Sequence, residues 1–242
     1  GALLMAEGRY LALPGEGGHV EFAATNKEEQ DIFAQIDRPF QRLTAETLLS
    51  GAGLVRLHNA RQKFLSDLHT TDVSDPAEIT RRALDHLDST EADTIRQFWR
   101  LIARFAGDMA LAFNARGGVT LAGGILPKLQ PLLNESTFLR AFSDKAPMSH
   151  LLSDIAIQII VNDLAVLQGL AALAERPEKF IVFCDDLSFE EGESGYKALK
   201  SVLDGSAASA GTNVLIYATS NRRHLLPEYM KDNLSYTHTD DG

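Results

Sequence analysis

Short apolar runs alternate with helix-periodic segments through the second half of the chain, and this alternation constrains the fold more than any single residue does. Val119-Thr120-Leu121-Ala122 reads as a buried strand between two glycine pairs, Gly117-Gly118 and Gly123-Gly124. Ile155–Val161, Phe180–Cys184 and Val214–Thr219 read as further apolar strands, with Leu164–Ala174 and Tyr196–Leu203 as helices between them. Strands alternating with helices make an α/β chain with a largely parallel sheet.

The first half is mostly helical. Arg9–Leu13 and Val20–Phe22 are strand-like and flank the glycine-rich Pro14–His19, and Lys27–Ile36 then carries Ile32, Phe33 and Ile36 at helical spacing. Thr44 can cap Ala45–Leu49, and Ser50-Gly51-Ala52-Gly53 reads as a break before an apolar-periodic run from Leu54 towards Leu65. Asp75, Pro76 and Glu78 mark a helix start, as N-cap, first helical residue and capping-box acid. Ser89 or Thr90 opens a long amphipathic helix with a stripe of Ile95, Phe98, Trp99, Ile102, Phe105, Ala106 and Met109.

Charge and cysteine content exclude some classes. With 23 basic against 33 acidic residues the formal charge is -10, which argues against nucleic acid or an anionic membrane as a partner. No apolar run approaches the length of a membrane span. The single cysteine, Cys184, excludes an internal disulfide and paired-cysteine zinc sites, so a reduced, cytoplasmic setting is the expectation. Cys184 itself sits on a strand and reads as core. The seven histidines show no metal-ligand spacing, no G-x-S-x-G elbow occurs, and Asp240-Asp241 reads as a solvated tail.

Three blocks carry a resemblance. Leu13-Pro14-Gly15-Glu16-Gly17-Gly18-His19, Ala45-Glu46-Thr47-Leu48-Leu49-Ser50-Gly51-Ala52-Gly53-Leu54 and Gly117-Gly118-Val119-Thr120-Leu121-Ala122-Gly123-Gly124-Ile125 resemble, in order, the signature blocks of the bacterial glucokinase family. Ala52 stands where that family usually has proline. Taken singly, Glu16 and His19 would read as solvated loop residues, Glu46 as a first-turn helix acid, and the glycine pairs as packing devices. Together the blocks imply that Glu16, His19 and Glu46 contact the hydroxyls of glucose or a similar hexose. Acceptor-only carboxylates and a dual-role imidazole suit such a ring. The resemblance further implies ATP and Mg²⁺, with Gly117, Gly118, Gly123 and Gly124 near the nucleotide.

From Arg176 onward the chain is similar to AAA-like ATPases of the DUF815 type. Phe180–Asp186 has the Walker B form and Val214–Asn221 resembles a sensor-1 strand, which implies nucleotide roles for Asp185, Asp186 and Asn221. G-x-x-x-x-G-K-[ST] is missing, so no P-loop ATPase activity is expected from this segment unless another chain supplies the loop. The expected architecture is therefore α/β: residues 1–174 form a partial actin/hexokinase-like (ribonuclease H-like) domain, and residues 175–242 form a small α/β segment of P-loop ATPase type. A stripe of Leu167, Leu170 and Leu173 is expected to face that segment or to drive self-association into a homo-oligomer.

Two functions from different classes follow as expectations: a glucokinase-derived sugar-binding module, or a non-catalytic interaction and assembly protein. The resemblance begins at Gly1-Ala2-Leu3-Leu4, after the family's phosphate-binding turn and its Asn-Asp pair, whose Asp is the base in that family. No catalytic residue is assigned and no metal ligand is assigned. Residues 1–242 alone are expected not to phosphorylate glucose, because transfer needs a positioned base and bound phosphates. A coupled assay on the purified chain, free of host kinase, checks this; turnover dependent on both ATP and glucose overturns it.

Overall fold

A computed structural model describes residues 1–6, 9–13, 15–38, 41–65, 73–161, 180–184 and 214–218 of the chain. They fall in two units, Gly1–Val161 and Asn162–Gly242. In the first unit, β1 (Ala2–Ala6) and β2 (Arg9–Leu13) form an antiparallel hairpin, followed by a 3-10 turn at Gly17–His19. Helices α1 (Lys27–Ala34), α2 (Ala45–Leu48), α3 (Gly51–Phe64), α4 (Pro76–Asp85) and α5 (Thr90–Ala112) come next. Then β3 (Val119–Leu121), α6 (Ile125–Leu129), α7 (Glu135–Ser143), α8 (Ser149–Leu152) and β4 (Ile157–Ile159) complete it. In the second unit β5 (Phe180–Cys184) and β6 (Val214–Ala218) pair in parallel, Phe180 opposite Val214. Leu167, Leu170, Leu173 and Tyr196–Leu203 lie outside the described residues.

The alternation of strands and helices gives parallel pairing where it predicts it: β3 pairs with β4, Val119 opposite Ile157. Both strands are only half-buried, however, and Val119–Leu121 is not the buried strand expected. The described sheet there is two strands wide, so each of the two strands keeps one edge without a described partner strand. Val20–Phe22 forms a single bridge, Glu21 to Thr44, in place of a strand.

Local chemistry starts the first five helices. Asn26, Thr44, Ser50, Asp75 and Ser89 all sit at N-caps and accept a backbone N–H from the first turn. Ser50–Gly53 is accordingly the first turn of α3 and no break. A Cβ at Gly53 would lie 2.4 Å from the Leu48 carbonyl, so glycine is what lets α3 follow α2 this tightly. Ala52, in that first turn, occupies a position whose N–H has no intrahelical partner, so a proline there would cost no helix hydrogen bond. Glu78 makes no capping box; it pairs with Arg81 at 2.8 Å and Arg82 at 2.6 Å, and these hydrogen bonds hold its carboxyl down at about 2.

α5 is the centre of the unit. Ile95 and Phe98 are fully buried, Trp99 stacks edge-on against Phe138 of α7 and donates to the Leu129 carbonyl at 3.0 Å. A Cβ on Gly107 would stand 2.2 Å from the Phe142 carbonyl oxygen, so α5 and α7 approach backbone to backbone there. The face of α5 away from the apolar stripe is buried as well, with Thr94 and Gln97 at 0% and 2% exposure. Charged residues join it there: Arg61 of α3 donates to Gln97 at 2.8 Å and to Glu28 at 3.2 Å.

His58 of α3 is wholly enclosed beside Thr94. The Thr94 hydroxyl donates to the Thr90 carbonyl at 2.8 Å, so the 3.2 Å contact with His58 Nδ1 requires Nδ1 to be the donor. Nε2 then faces Glu91 at 3.9 Å as an unpaired acceptor. Burial lowers the His58 pKa below 6.5; Glu91 works the other way, and Arg82 and Arg61 add to the lowering.

Two outcomes follow from this packing. Gly107→Ala is expected to destabilise by about 1–3 kcal/mol through overpacking, although an exposed helix glycine would gain from the same change; a thermal melt reads the difference. Folding is also expected to weaken as pH falls below 6.5, because unfolded His58 takes up a proton that the buried imidazole resists. Urea titrations across that window should show a shallower pH dependence in His58→Gln.

Candidate functional site

The 3-10 turn at Gly17–His19 presents the first two predicted sugar contacts. Glu16 is its N-cap and His19 its last residue, and Glu16 Oε2 lies 3.8 Å from His19 Nε2 with both side chains exposed. Two short backbone bonds define the turn: His19 N–H to Glu16 O at 3.0 Å and Val20 N–H to Gly17 O at 3.2 Å.

Glu46 arrives from a different element. A capping box in which Thr44 and Thr47 bond reciprocally sets α2, and Glu46 occupies its first turn, exposed. The Ala45 N–H donates to the Val20 carbonyl at 3.1 Å and the Phe22 N–H to the Leu43 carbonyl at 3.0 Å, tying α2 to the chain that leaves the turn. A Cβ on Gly18 would stand 3.4 Å from Glu46 Oε2. The absence of a side chain at Gly18 thus leaves room for Glu46 against the turn. All three predicted residues are exposed: Glu16 pairs with His19, and Glu46 lies against Gly18 between them in sequence.

The floor under the turn comes from α5. A Cβ on Gly17 would lie 3.1 Å from Met109 Sδ and 3.8 Å from the Phe105 ring, and Gly15 approaches Phe113 at 4.0 Å. Phe105 and Met109 belong to the stripe read as core, yet both are only half-buried, as their outer edges carry the glycine turn. Phe113 is 39% exposed. Sequence reading did not assign these three a place in the site. Their recurrence at every fourth position towards the end of the stripe is the signal that was there to use.

The glycine pairs flank β3. Gly118 and Gly123 have φ of 125° and 143°, a region that a side chain disfavours. Gly118 is also close to the Ala156 carbonyl, 3.2 Å from a hypothetical Cβ, whereas Gly117, Gly123 and Gly124 have nothing within 4 Å. Gly118 is therefore needed for packing against β4, and the other three face open space where a ligand could approach the backbone. Asp185, Asp186 and Asn221 lie outside the described residues.

A surface cavity of about 390 Å³ opens beside Phe22, Phe33, Arg38, Gln41 and Arg42. It shares no residue with Glu16, His19 or Glu46, and volume alone gives it no chemistry. Among the described residues no group of three or more His, Cys, Asp or Glu is placed to hold a metal, and no helix is long and apolar enough to cross a membrane.

Comparison with known proteins supplies the lineage. The glucokinase family model matches residues 1–177, and the model of DUF815, a protein family of unknown function, matches residues 135–241. The chain is 41% identical over 180 residues to a glucokinase of Rhizobium etli (strain ATCC 51251 / DSM 11541 / JCM 21823 / NBRC 15573 / CFN 42), covering 74% of this chain and 52% of that protein. It is 38% identical over 173 residues to a glucokinase of Brucella suis biovar 1 (strain 1330), covering 72% and 50%. It thus spans about half the length of the curated relatives it matches. Among solved structures, a glucokinase from an Antarctic psychrotroph superposes with a TM-score of 0.62 at 28% identity, over 72% of this chain and 54% of that one. A glucokinase from Balamuthia mandrillaris, in complex with glucose, gives 0.52 at 19% over 64% and 45%, a likeness of fold alone. With the glycine turn, the Glu46 helix and the β3 glycine pairs in family order on a hexokinase-like α/β fold, the chain belongs to the glucokinase family.

Proposed function

We propose that residues 1–177 supply the sugar-contacting part of an ATP-dependent hexose kinase, with Glu16, His19 and Glu46 receiving the hydroxyls of glucose. The observation that carries this reading is the placement of Glu46 against Gly18, beside a turn whose Glu16 and His19 are 3.8 Å apart. Two carboxylates and one imidazole, all exposed, can accept from several hydroxyls at once while the imidazole donates to another. Phe105 and Met109 support the turn from beneath, and its glycines let the backbone come close to a ligand.

ATP with Mg²⁺ is the phosphoryl donor that this lineage implies. Gly117, Gly123 and Gly124, which have open space at their Cα atoms, are the described residues we assign to the nucleotide's approach. Their backbone N–H groups would face phosphate or ribose, and Mg²⁺ would supply charge neutralisation on the triphosphate. None of Glu16, His19 and Glu46 is assigned as the base; their part is to bind and orient the sugar.

Millimolar glucose is expected to raise the melting temperature of the chain, since a ligand that binds the folded state alone stabilises it. Glu16→Gln replaces one acceptor oxygen by a donor and should abolish the shift while leaving the unliganded melting temperature unchanged. A wild-type chain whose melting is insensitive to glucose sinks the sugar reading.

A further inference from the structure

Glu29, in the first turn of α1, has no solvent exposure at all. Its Oε2 accepts from the Thr25 N–H at 2.9 Å, from the Thr25 hydroxyl at 3.0 Å and from Arg104 of α5 at 2.7 Å, and its Oε1 accepts from Arg100 at 3.4 Å. Arg104 uses its second terminal nitrogen on the Ala23 carbonyl at 2.7 Å, with its guanidinium 4.7 Å from the centroid of the Phe22 ring. Phe22 in turn meets Phe105 edge-on at 6.3 Å.

Ala23 and Phe22 are the residues through which the chain leaves His19. A single guanidinium therefore connects the buried carboxylate of α1 to the outgoing end of the glycine turn. Phe105, one residue beyond Arg104 on α5, lies beneath the turn itself. From Phe22 the bonds to Leu43 and from Val20 to Ala45 extend the connection to the first turn of α2, where Glu46 stands. Both predicted carboxylate contacts and the imidazole are thus referred to one fixed point on α5.

We infer that Arg104, oriented by Glu29, is a positioning residue that sets the Gly15–Phe22 segment against α2 and so fixes the spacing of Glu16, His19 and Glu46. The inference rests on the sugar-site reading for its purpose but not for its geometry. The planar fork is what the arrangement uses, since its two terminal nitrogens serve two acceptors on different elements, whereas a lysine ammonium is a point charge on a flexible stem.

The test uses the full 242-residue chain as wild type, Arg104→Lys, Arg104→Met, the paired Glu29→Gln/Arg104→Met and, as a control, Gly107→Ala, whose clash is with Phe142. The paired variant removes both charges of the Glu29–Arg104 pair, leaving only the part-exposed Arg100 without its carboxylate, and stays informative where Arg104→Met fails to fold. Three quantities are measured below every melting transition: exchange of the His19, Val20, Phe22 and Ala45 amides, the His19 ring signals, and the glucose dissociation constant. The Arg104 variants are expected to exchange those amides at least about tenfold faster than α7 amides in the same sample, with displaced His19 signals and about tenfold weaker glucose binding. Gly107→Ala should lose melting temperature and keep all three. Arg104 variants that melt early but retain wild-type amide exchange and His19 signals overturn the inference, as does complete rescue by lysine. A wild type that binds no glucose, beside Arg104 variants that still loosen the turn, removes the sugar reading and leaves the positioning role standing.

Discussion

The ion pair between Glu29 and Arg104 is the constraint on which the organisation of the first unit rests. A carboxylate with no exposure is costly to bury, and it is tolerable only because hydroxyl, amide and two guanidinium donors surround it. Breaking such a pair from one side typically costs about 3–5 kcal/mol, whereas replacing both partners by apolar groups is often neutral. The pair is therefore weak evidence about stability and stronger evidence about geometry. It admits one arrangement of α1, α5 and the Phe22–Ala23 backbone, where an apolar contact would admit several.

That geometry matters because the proposed sugar site stands on short elements. A three-residue 3-10 turn and a four-residue helix have little stability of their own. Their relative position comes from two backbone bonds, the Thr44–Thr47 capping box and the surface of α5 beneath. A long central helix packed on α3, α4 and α7 gives that surface its rigidity, and Gly107 lets α7 seat closely enough to hold the helix still. Precision at Glu16, His19 and Glu46 is thus borrowed from the core.

Much of this was legible in the residues. Caps at Thr44, Asp75 and Ser89 use local rules that need no tertiary knowledge, and they start helices where those rules say. The three motif blocks pointed to Glu16, His19 and Glu46 as one group, and Glu46 does stand beside the turn. Ser50–Gly53 misled because glycine usually interrupts a helix; here it opens one, for a packing reason at Leu48 that lies in another element. The buried polar face of α5 was invisible for a related reason. Arg100 and Arg104 lie off the apolar stripe, and Glu29, the partner that draws them in, lies 71 and 75 residues away in sequence. The half-burial of Val119–Leu121 depends on what packs on the two faces of the strand, which a hydrophobic run does not encode.

The two family matches overlap over residues 135–177, and packing bears on the described part of that overlap. Phe138 and Phe142 of α7 are buried in the same core as Trp99 and Leu101 of α5, and Lys145 pairs with Asp108 at 2.6 Å. β4 supplies the partner strand for β3, and the Val119 N–H donates to the Ala156 carbonyl at 2.8 Å. Residues 135–161 are thus bound to the helix that floors the glycine turn and to the strand between the two glycine pairs. Whatever ancestry they share with DUF815, Phe138, Phe142 and Leu152 complete the glucokinase-side core, and a substitution at Phe142 acts on that core. The parallel pair of β5 and β6 belongs to the other unit, and its register is internally consistent over five residues without any reference to this one.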